Sequence, residues 1–311
     1  MTEAVLTASG RPGSIFLKLP ATSANLGPGF DALGLAMSFF LSIDAVTAPD
    51  GAFVIQATGR NAEICGRLEG NLILDTYRDV VRTVGGEPPA IHLLLHNEIP
   101  LGMGCGSSAA ALLAGVVLAD HFGGLGMSDE QIVAEASRIE GHPDNVAACW
   151  CGGFTVSAQE GERIQAATFA GDPAWNLLLA LQPISLATKQ ARALLPDRYT
   201  RADAVFNVQR VALLVAAFAQ RRLDLLRTAM QDRMHQPYRE TACPLLGQLL
   251  PLAAEPEIAG VALSGAGPSV LVFLGADTTV LEGETRVQAL VGSETEVLPL
   301  RMGRGTERTL L

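Results

Sequence analysis

Apolar and polar positions along this chain switch between a strand-like and a helical period, and the switches outline its elements. SIFLKLPATSA reads as a strand ending at Pro20, and AMSFFLSIDAVTA and AFVIQATG read as two more. In NLILDTYRDVVRTVGG the apolar residues recur at helical spacing until a Gly-Gly stop, which predicts a helix. AIHLLLHNEIP predicts a strand, and SSAAALLAGVVLADHFG a helix of high intrinsic propensity that opens on serine. MSDEQIVAEASRIEG predicts a further helix, with Ser128 as N-cap and Gln131 completing a capping box. HPDN reads as its irregular exit, and GGFTVSAQ begins the next strand.

A shift in composition over EGERIQAATFAGDPAW predicts a domain joint at roughly residues 160–172. Beyond it NLLLALQPI reads as a strand, RADAVFNVQRVALLVAAFAQ and RLDLLRTAMQ as helices, and GVALSGAGPSVLVFLG as a strand, a glycine turn and a strand. Residues 1 to about 12 read as a leader outside the fold, and the chain shows no internal repeat. Strands and helices mix without a regular βαβ rhythm, so the expected class is α+β rather than a doubly wound sheet. The 311 residues are enough for two domains, expected at 13–165 and 166–311.

Composition narrows the function. The chain is 49% hydrophobic and 17% charged, which suits packed interiors and argues against extended disorder. A net charge of −10 without any cluster of Lys and Arg excludes a general nucleic-acid binder. No apolar run approaches the roughly 20 residues of a membrane span, and MTEAVLTASGRPGS is too polar for a secretory leader. The five cysteines form no C-x-x-C pair and read as reduced, buried thiols in a cytoplasmic protein. Lys18 and Lys189 are the only lysines, and neither sits where a G-x-x-x-x-G-K-[ST] phosphate loop needs one.

Candidate chemistry gathers in glycine-rich joints. In PLGMGCGSSAA, Gly102, Gly104 and Gly106 alternate, so backbone can approach a ligand. The helix that follows offers unpaired N–H groups and the positive end of its dipole to an anion. Ser107 and Ser108 add hydroxyls that suit phosphate oxygens or Mg²⁺. In TSANLGPGFD, Asn25 and Asp31 either face a pocket or cap an Asx-type turn. His142, Asp144 and Asn145 cluster in EGHPDN, where a capped turn is the alternative. His92 and His96 lie four apart on a strand and read as packing, and Trp150 reads as core. Ser264 lacks G-x-S-x-G spacing.

PLGMGCGSSA resembles the ATP-phosphate loop, P-x-x-x-G-x-G-S-S-A, of the GHMP kinase superfamily. PATSANLGPGFDALGLA resembles the N-terminal substrate motif of its homoserine kinases, EGHPDNVAACWCGGF a further signature of theirs, and SGAGPSVLVF the superfamily's C-terminal glycine motif. These motifs, in the superfamily's order, span about residues 15 to 275. The resemblance implies an N-terminal domain with the ribosomal protein S5 domain 2-like fold and a ferredoxin-like C-terminal domain. It implies ATP-dependent phosphorylation of the L-homoserine hydroxyl, on the way to threonine, by a cytoplasmic homodimer that binds only small molecules and requires ATP and Mg²⁺.

The resemblance also carries roles onto residues. Pro100, Leu101, Gly102, Met103, Gly104, Cys105, Gly106, Ser107, Ser108 and Ala109 are implied to hold ATP, with Asn71 of EGNLI touching the nucleotide. Asn25, Asp31, His142, Asn145 and Gly265 are implied to line the amino-acid site, with Asp144, Asn145 and Ser108 catalytic. SLATKQAR matches a T-x-x-x-R segment and nominates Thr188 and Arg192, while DRMHQPYRE nominates Arg239. Arginine suits this task because its planar fork grips a carboxylate with two hydrogen bonds. A glutamate beside Ser108 is implied for the metal; Glu135 and Glu140 both qualify, and Glu135, a full helical turn deeper, is preferred at its spacing. The chain departs from the family in having Met103 where many members have arginine, and Cys105 where they have leucine. Cys105, flanked by glycines, is expected to meet thiol reagents unless ATP protects it.

Overall fold

The protein is described by a computed structural model covering residues 13–170, 174–184 and 186–310, so the leader read over residues 1–12 lies outside the described residues. The first half builds β1 (Ile15–Asn25), β2 (Gly29–Thr47), β3 (Val54–Gly59), α1 (Ala62–Cys65), α2 (Leu72–Thr83) and β4 (Ile91–Asn97). It continues through α3 (Ser107–Gly123), α4 (Asp129–Glu140), α5 (Asp144–Cys151), β5 (Phe154–Glu160) and β6 (Arg163–Phe169). Then come β7 (Leu177–Leu181), α6 (Thr188–Ala193), α7 (Arg201–Ala219), a 3₁₀ turn running into α8 (Leu226–Ala229), α9 (Gln236–Arg239) and α10 (Pro244–Leu249). The second half closes with β8 (Ile258–Leu263), β9 (Val270–Leu274), α11 (Val280–Val291), β10 (Glu296–Leu300) and β11 (Glu307–Leu310).

One sheet runs β11-β1-β2-β4-β3, with β5 pairing β2 and β6 pairing β5. β3 and β4 pair in parallel; the other pairs in this sheet are antiparallel. The second sheet runs β10-β7-β9-β8, all antiparallel. With helices after its first and third strands, it has the ferredoxin-like order, and the chain as a whole is α+β.

β1 does not stop at Pro20. Its pairing with β2 shifts register between Pro20 and Thr22 and then resumes as far as Asn25. The irregularity absorbs a residue that has no N–H to donate. The composition shift read as a domain joint begins on β6, whose residues pair with β5 from Phe154↔Phe169 to Glu160↔Arg163. β6 is polar because it is a mostly exposed edge strand, and the boundary expected after residue 165 cuts through it. β11 likewise returns from the second half to the first sheet, with Ile15 opposite Leu310.

Period-two alternation decides which core each strand of the second sheet feeds. Leu177, Leu179 and Leu181 of β7 and Phe273 of β9 join the cluster that also fills the first sheet. Leu178 and Ala180 face the other way, onto Leu245, Leu246 and Leu249 of α10. Phe154 from the first sheet stacks on Phe218 of α7 at 3.9 Å, and Trp175 and Phe273 meet Phe218 edge-on. These rings join the two halves through one continuous apolar interior.

α5 was legible only as a turn, yet it is the element that seats the site. It lies so close to β2 that a Cβ on Gly34 would come within 2.4 Å of the Asp144 carbonyl oxygen and 2.6 Å of the Ala148 Cβ. Only glycine allows that approach. The expected capping box of α4 forms as well, with Ser128 accepting from the Gln131 N–H.

Candidate active site

The loop before α3 is pinned from both halves of the molecule. Gly104 has φ 72°, and a Cβ there would strike the Ser264 carbonyl oxygen at 2.2 Å. The Ser264 hydroxyl donates to the Gly104 carbonyl at 2.7 Å, and the Thr22 N–H donates to the Cys105 carbonyl at 3.0 Å. Gly106, at φ 67°, is the N-cap of α3, so the helix presents its free N–H groups at Ser107 and Ser108.

A polar cavity of about 240 Å³ opens over this helix end. Asn25, Asp31, Gly102, Gly104, Gly106, Ser107, Ser108, His142, Asp144, Asn145, Thr188, Arg192, Arg239 and Gly265 all line it, with Glu140 and Phe30. A second, largely apolar cavity of about 230 Å³ adjoins it, lined by Ile64, Leu72, Leu95, Ile99, Leu101 and Ala111, with Asn71. Ser107 and Ser108 belong to the walls of both.

Within the polar cavity the charges are already arranged. Arg192 grips Asp31 with both arms of its fork, Nη2 to Oδ1 at 2.6 Å and Nη1 to Oδ2 at 2.9 Å. That hydrogen bonding to Asp31 raises the Arg192 pKa further, against the cost of burial. Arg239 is only 1% exposed and donates to neutral acceptors, the carbonyls of Ala191 and Gly265 and the His235 Nδ1. Burial, with the neighbouring charge of Arg192, lowers its pKa. Phe30 sits beneath both guanidinium groups, 5.2 Å from Arg192 and 5.5 Å from Arg239.

Asn25 is nine-tenths buried and spent on the fold. Its Nδ2 donates to the Gly265 carbonyl at 2.9 Å and its Oδ1 accepts from the Asp31 N–H at 3.0 Å. It ties two of the glycine motifs together at the cavity edge. On the opposite wall the Asp144 Oδ1 meets the His142 Nδ1 at 2.5 Å and accepts from the Asn145 N–H at 2.7 Å. The Thr22 hydroxyl donates to the Asn145 Oδ1 at 2.7 Å, which fixes the rotation of that amide. His142 is buried, which alone lowers its pKa, but the hydrogen bond and charge of Asp144, with Glu140 behind, raise it above the ordinary value.

The two glutamates considered for the metal have different surroundings. Glu135 is bound by Arg138 through two contacts of 2.7 Å and is not among the residues lining the cavity. Glu140 lines the cavity, and its Oε1 accepts from the Ser108 hydroxyl at 2.6 Å. α4 points its last residue, not the one a turn deeper, at the start of α3. Ser108 and Glu140 together offer a hydroxyl and a carboxylate oxygen beside a phosphate-binding helix end, a hard-oxygen donor set that fits Mg²⁺.

Other positions also differ from the reading of the sequence. Cys105 is 1% exposed and burial pushes its thiol up to about 12, so it is neither accessible nor nucleophilic. Turns on either side of it direct the side chain inward. Ala109 is fully buried on the core side of α3, and Pro100 and Met103 line a separate groove beside Arg60 and Glu296. Arg60 does not stand in for an arginine at Met103, because both arms of its fork are held by Glu296. Asn71 caps α2, accepting from the Ile73 and Leu74 N–H groups and donating to the Cys65 carbonyl, so it shapes the second cavity through backbone. Thr22, Phe30 and His235 went unremarked in the sequence. All three stand inside quoted motifs, His235 in DRMHQPYRE four residues before Arg239.

Residues 71–153 match the family model described as GHMP kinases N terminal domain, and residues 214–288 that described as GHMP kinases C terminal. Fold and glycine loop thus define a kinase of the GHMP class. The chain is 49% identical to a homoserine kinase of Solibacter usitatus over 260 residues, 83% of this chain and 84% of that one. It is 40% identical to one of Deinococcus radiodurans over 270 residues, 86% of each chain. A solved homoserine kinase from Cytophaga hutchinsonii shares the fold at a TM-score of 0.81, covering 98% of this chain and 100% of that one at 24% identity. The chain belongs to the homoserine kinase family.

Proposed function

We propose that this chain transfers the γ-phosphoryl group of ATP to the side-chain hydroxyl of L-homoserine, giving O-phospho-L-homoserine. The observation that carries the reading is the pair of cavities sharing Ser107 and Ser108. The apolar one suits a purine, the helix end between them suits phosphates, and the polar one holds a charge set complementary to an α-amino acid. Asp31 receives the ammonium, while Arg192 and Arg239 grip the carboxylate. The zwitterion replaces each half of the Arg192–Asp31 pair with its own opposite charge, so neither side chain is left unpaired.

That docking directs the hydroxyl toward Asp144 and Asn145 at the start of α5. Asp144 accepts the hydroxyl hydrogen bond, aims the oxygen at the γ-phosphorus and takes the proton as the new P–O bond forms and the bond from the γ-phosphorus to the β,γ-bridging oxygen breaks, releasing ADP. Asn145, held by Thr22, keeps the acceptor in line, and Ser108 with the α3 N–H groups meets the phosphate oxygens. Positioning and charge stabilisation do most of the work in such transfers. Ser108 and Glu140 would hold Mg²⁺, which would supply positive charge to offset that of the phosphates. The family resemblance further supports a cytoplasmic homodimer; light scattering that returned the mass of one chain would overturn the dimer.

A coupled assay of ADP release over a panel of small alcohols tests the reading. Homoserine-dependent turnover far above background ATP hydrolysis is expected. Preference for an alcohol without the amino-acid charges would point to a different GHMP substrate, and no acceptor-dependent turnover would point to a silent ATP-binding regulator.

A further inference from the structure

His235 is completely buried, four residues before Arg239, and its two ring nitrogens have partners of opposite kind. Nε2 lies 2.6 Å from the Gly27 carbonyl oxygen, which only accepts, so Nε2 carries the hydrogen. Nδ1 lies 3.2 Å from the Arg239 Nη1, which only donates, so Nδ1 presents a lone pair. The two contacts together require the neutral ring with its proton on Nε2. Burial, reinforced by the charge of Arg239 and opposed by Asp232, keeps the imidazole below its ordinary pKa. Asp232 fixes the ring's backbone by accepting from the N–H groups of Met234, His235 and Gln236.

Arg239 needs such a partner. It is buried, and among the described residues its hydrogen-bond acceptors are all neutral, since Asp31 is already taken by Arg192. Neutral acceptors orient a guanidinium without cancelling its charge, which leaves that charge for an incoming anion.

We propose that His235 is the positioning residue of the carboxylate grip. Its Nδ1 lone pair sets the rotation of the Arg239 fork, and its Nε2–H locks that setting to the Gly27 carbonyl in the substrate motif. The inference rests on the reading of Arg239 as a carboxylate ligand and adds the group that aims it.

Two substitutions separate the ring's functions. Asn in His235→Asn keeps an acceptor near the Nδ1 position, whereas Gln in His235→Gln keeps a donor near the Nε2 position and loses the lone pair. A hydrogen bond to a charged group is at stake, so His235→Gln should raise the homoserine KM about tenfold. The KM for ATP should stay unchanged, and His235→Asn should remain within about threefold of the parent on homoserine. Turnover of 3-amino-1-propanol, which has the ammonium and hydroxyl but no carboxylate, should be the same in His235→Gln as in the parent. Equal homoserine KM values for the two variants, or an equal loss on 3-amino-1-propanol, would overturn the proposal as a mere effect on folding. Arg239→Lys keeps the two readings apart. An unchanged homoserine KM there removes the carboxylate grip itself, whereas a raised one beside a normal His235→Gln removes only the part given to His235.

Discussion

Glu140 and Glu135 stand five positions apart on one helix and have separate fates. Glu140 reaches the Ser108 hydroxyl, and Glu135 closes a surface pair with Arg138. Glu140→Ala should therefore lower the Mg²⁺-dependent kcat by on the order of 10²-fold, as losing one charge-stabilising group in a transferring site does. Glu135→Ala should leave kcat within about twofold, because an exposed i, i+3 pair contributes little. Steady-state rates across a Mg²⁺ titration give both values, and a reversed order would return the metal role to Glu135. His142 makes a second prediction. Its folded pKa lies above the free value of 6.5 because the charged ring is held by Asp144 and Glu140 against the cost of burial. The stability this contributes is complete below pH 6.5 and disappears as the pH rises through the higher folded value. The Tm gap between the parent and His142→Gln should accordingly shrink as the pH rises above 6.5, and a gap that widens would contradict the assignment.

Among the elements, the glycine loop and α5 show how close packing fixes a site. Gly104→Ala places a Cβ against the Ser264 carbonyl and holds an alanine at φ 72°. It should cost at least about 1 kcal/mol from the left-handed backbone alone and raise the KM for ATP more than that for homoserine. Denaturant melts and initial rates measure the two effects. Several elements were readable in advance because each carried its own local signal. α4 had its capping box, and α3 had small residues at high helical propensity. α5 was hidden because its proline-bearing start mimics a turn, while contact with Gly34, more than one hundred positions earlier, holds it in place. The direction of Glu140 and the inward turn of Cys105 were hidden for the same reason. Both depend on which neighbour a side chain meets after the chain has closed, and spacing along one helix or loop holds no record of that. Arg192 and Arg239 were selected by motif resemblance alone, since nothing local distinguishes them from the other arginines.

At the scale of the molecule, the site belongs to neither half. Its first wall comes from the joints of the first sheet and its second from α6, α9 and the β8–β9 turn. The aromatic cluster of Phe154, Phe218, Trp175 and Phe273 runs between the sheets, so the chain should unfold as one cooperative unit. A non-hydrolysable ATP analogue at about 100 times its Kd should add about 2.7 kcal/mol to that single transition. Calorimetry resolving two transitions, with only one responding to the analogue, would show the halves to be independent. The pairing of β11 with β1 has a consequence for biosynthesis. β1 precedes β11 by most of the described chain and keeps an open edge until β11 has been made. A nascent chain already carrying the phosphate loop and most of the interior still exposes that row of unpaired backbone groups. The interval before β11 docks is when an unguarded strand can pair with another chain, so a chaperone would serve this protein best until that pairing has formed.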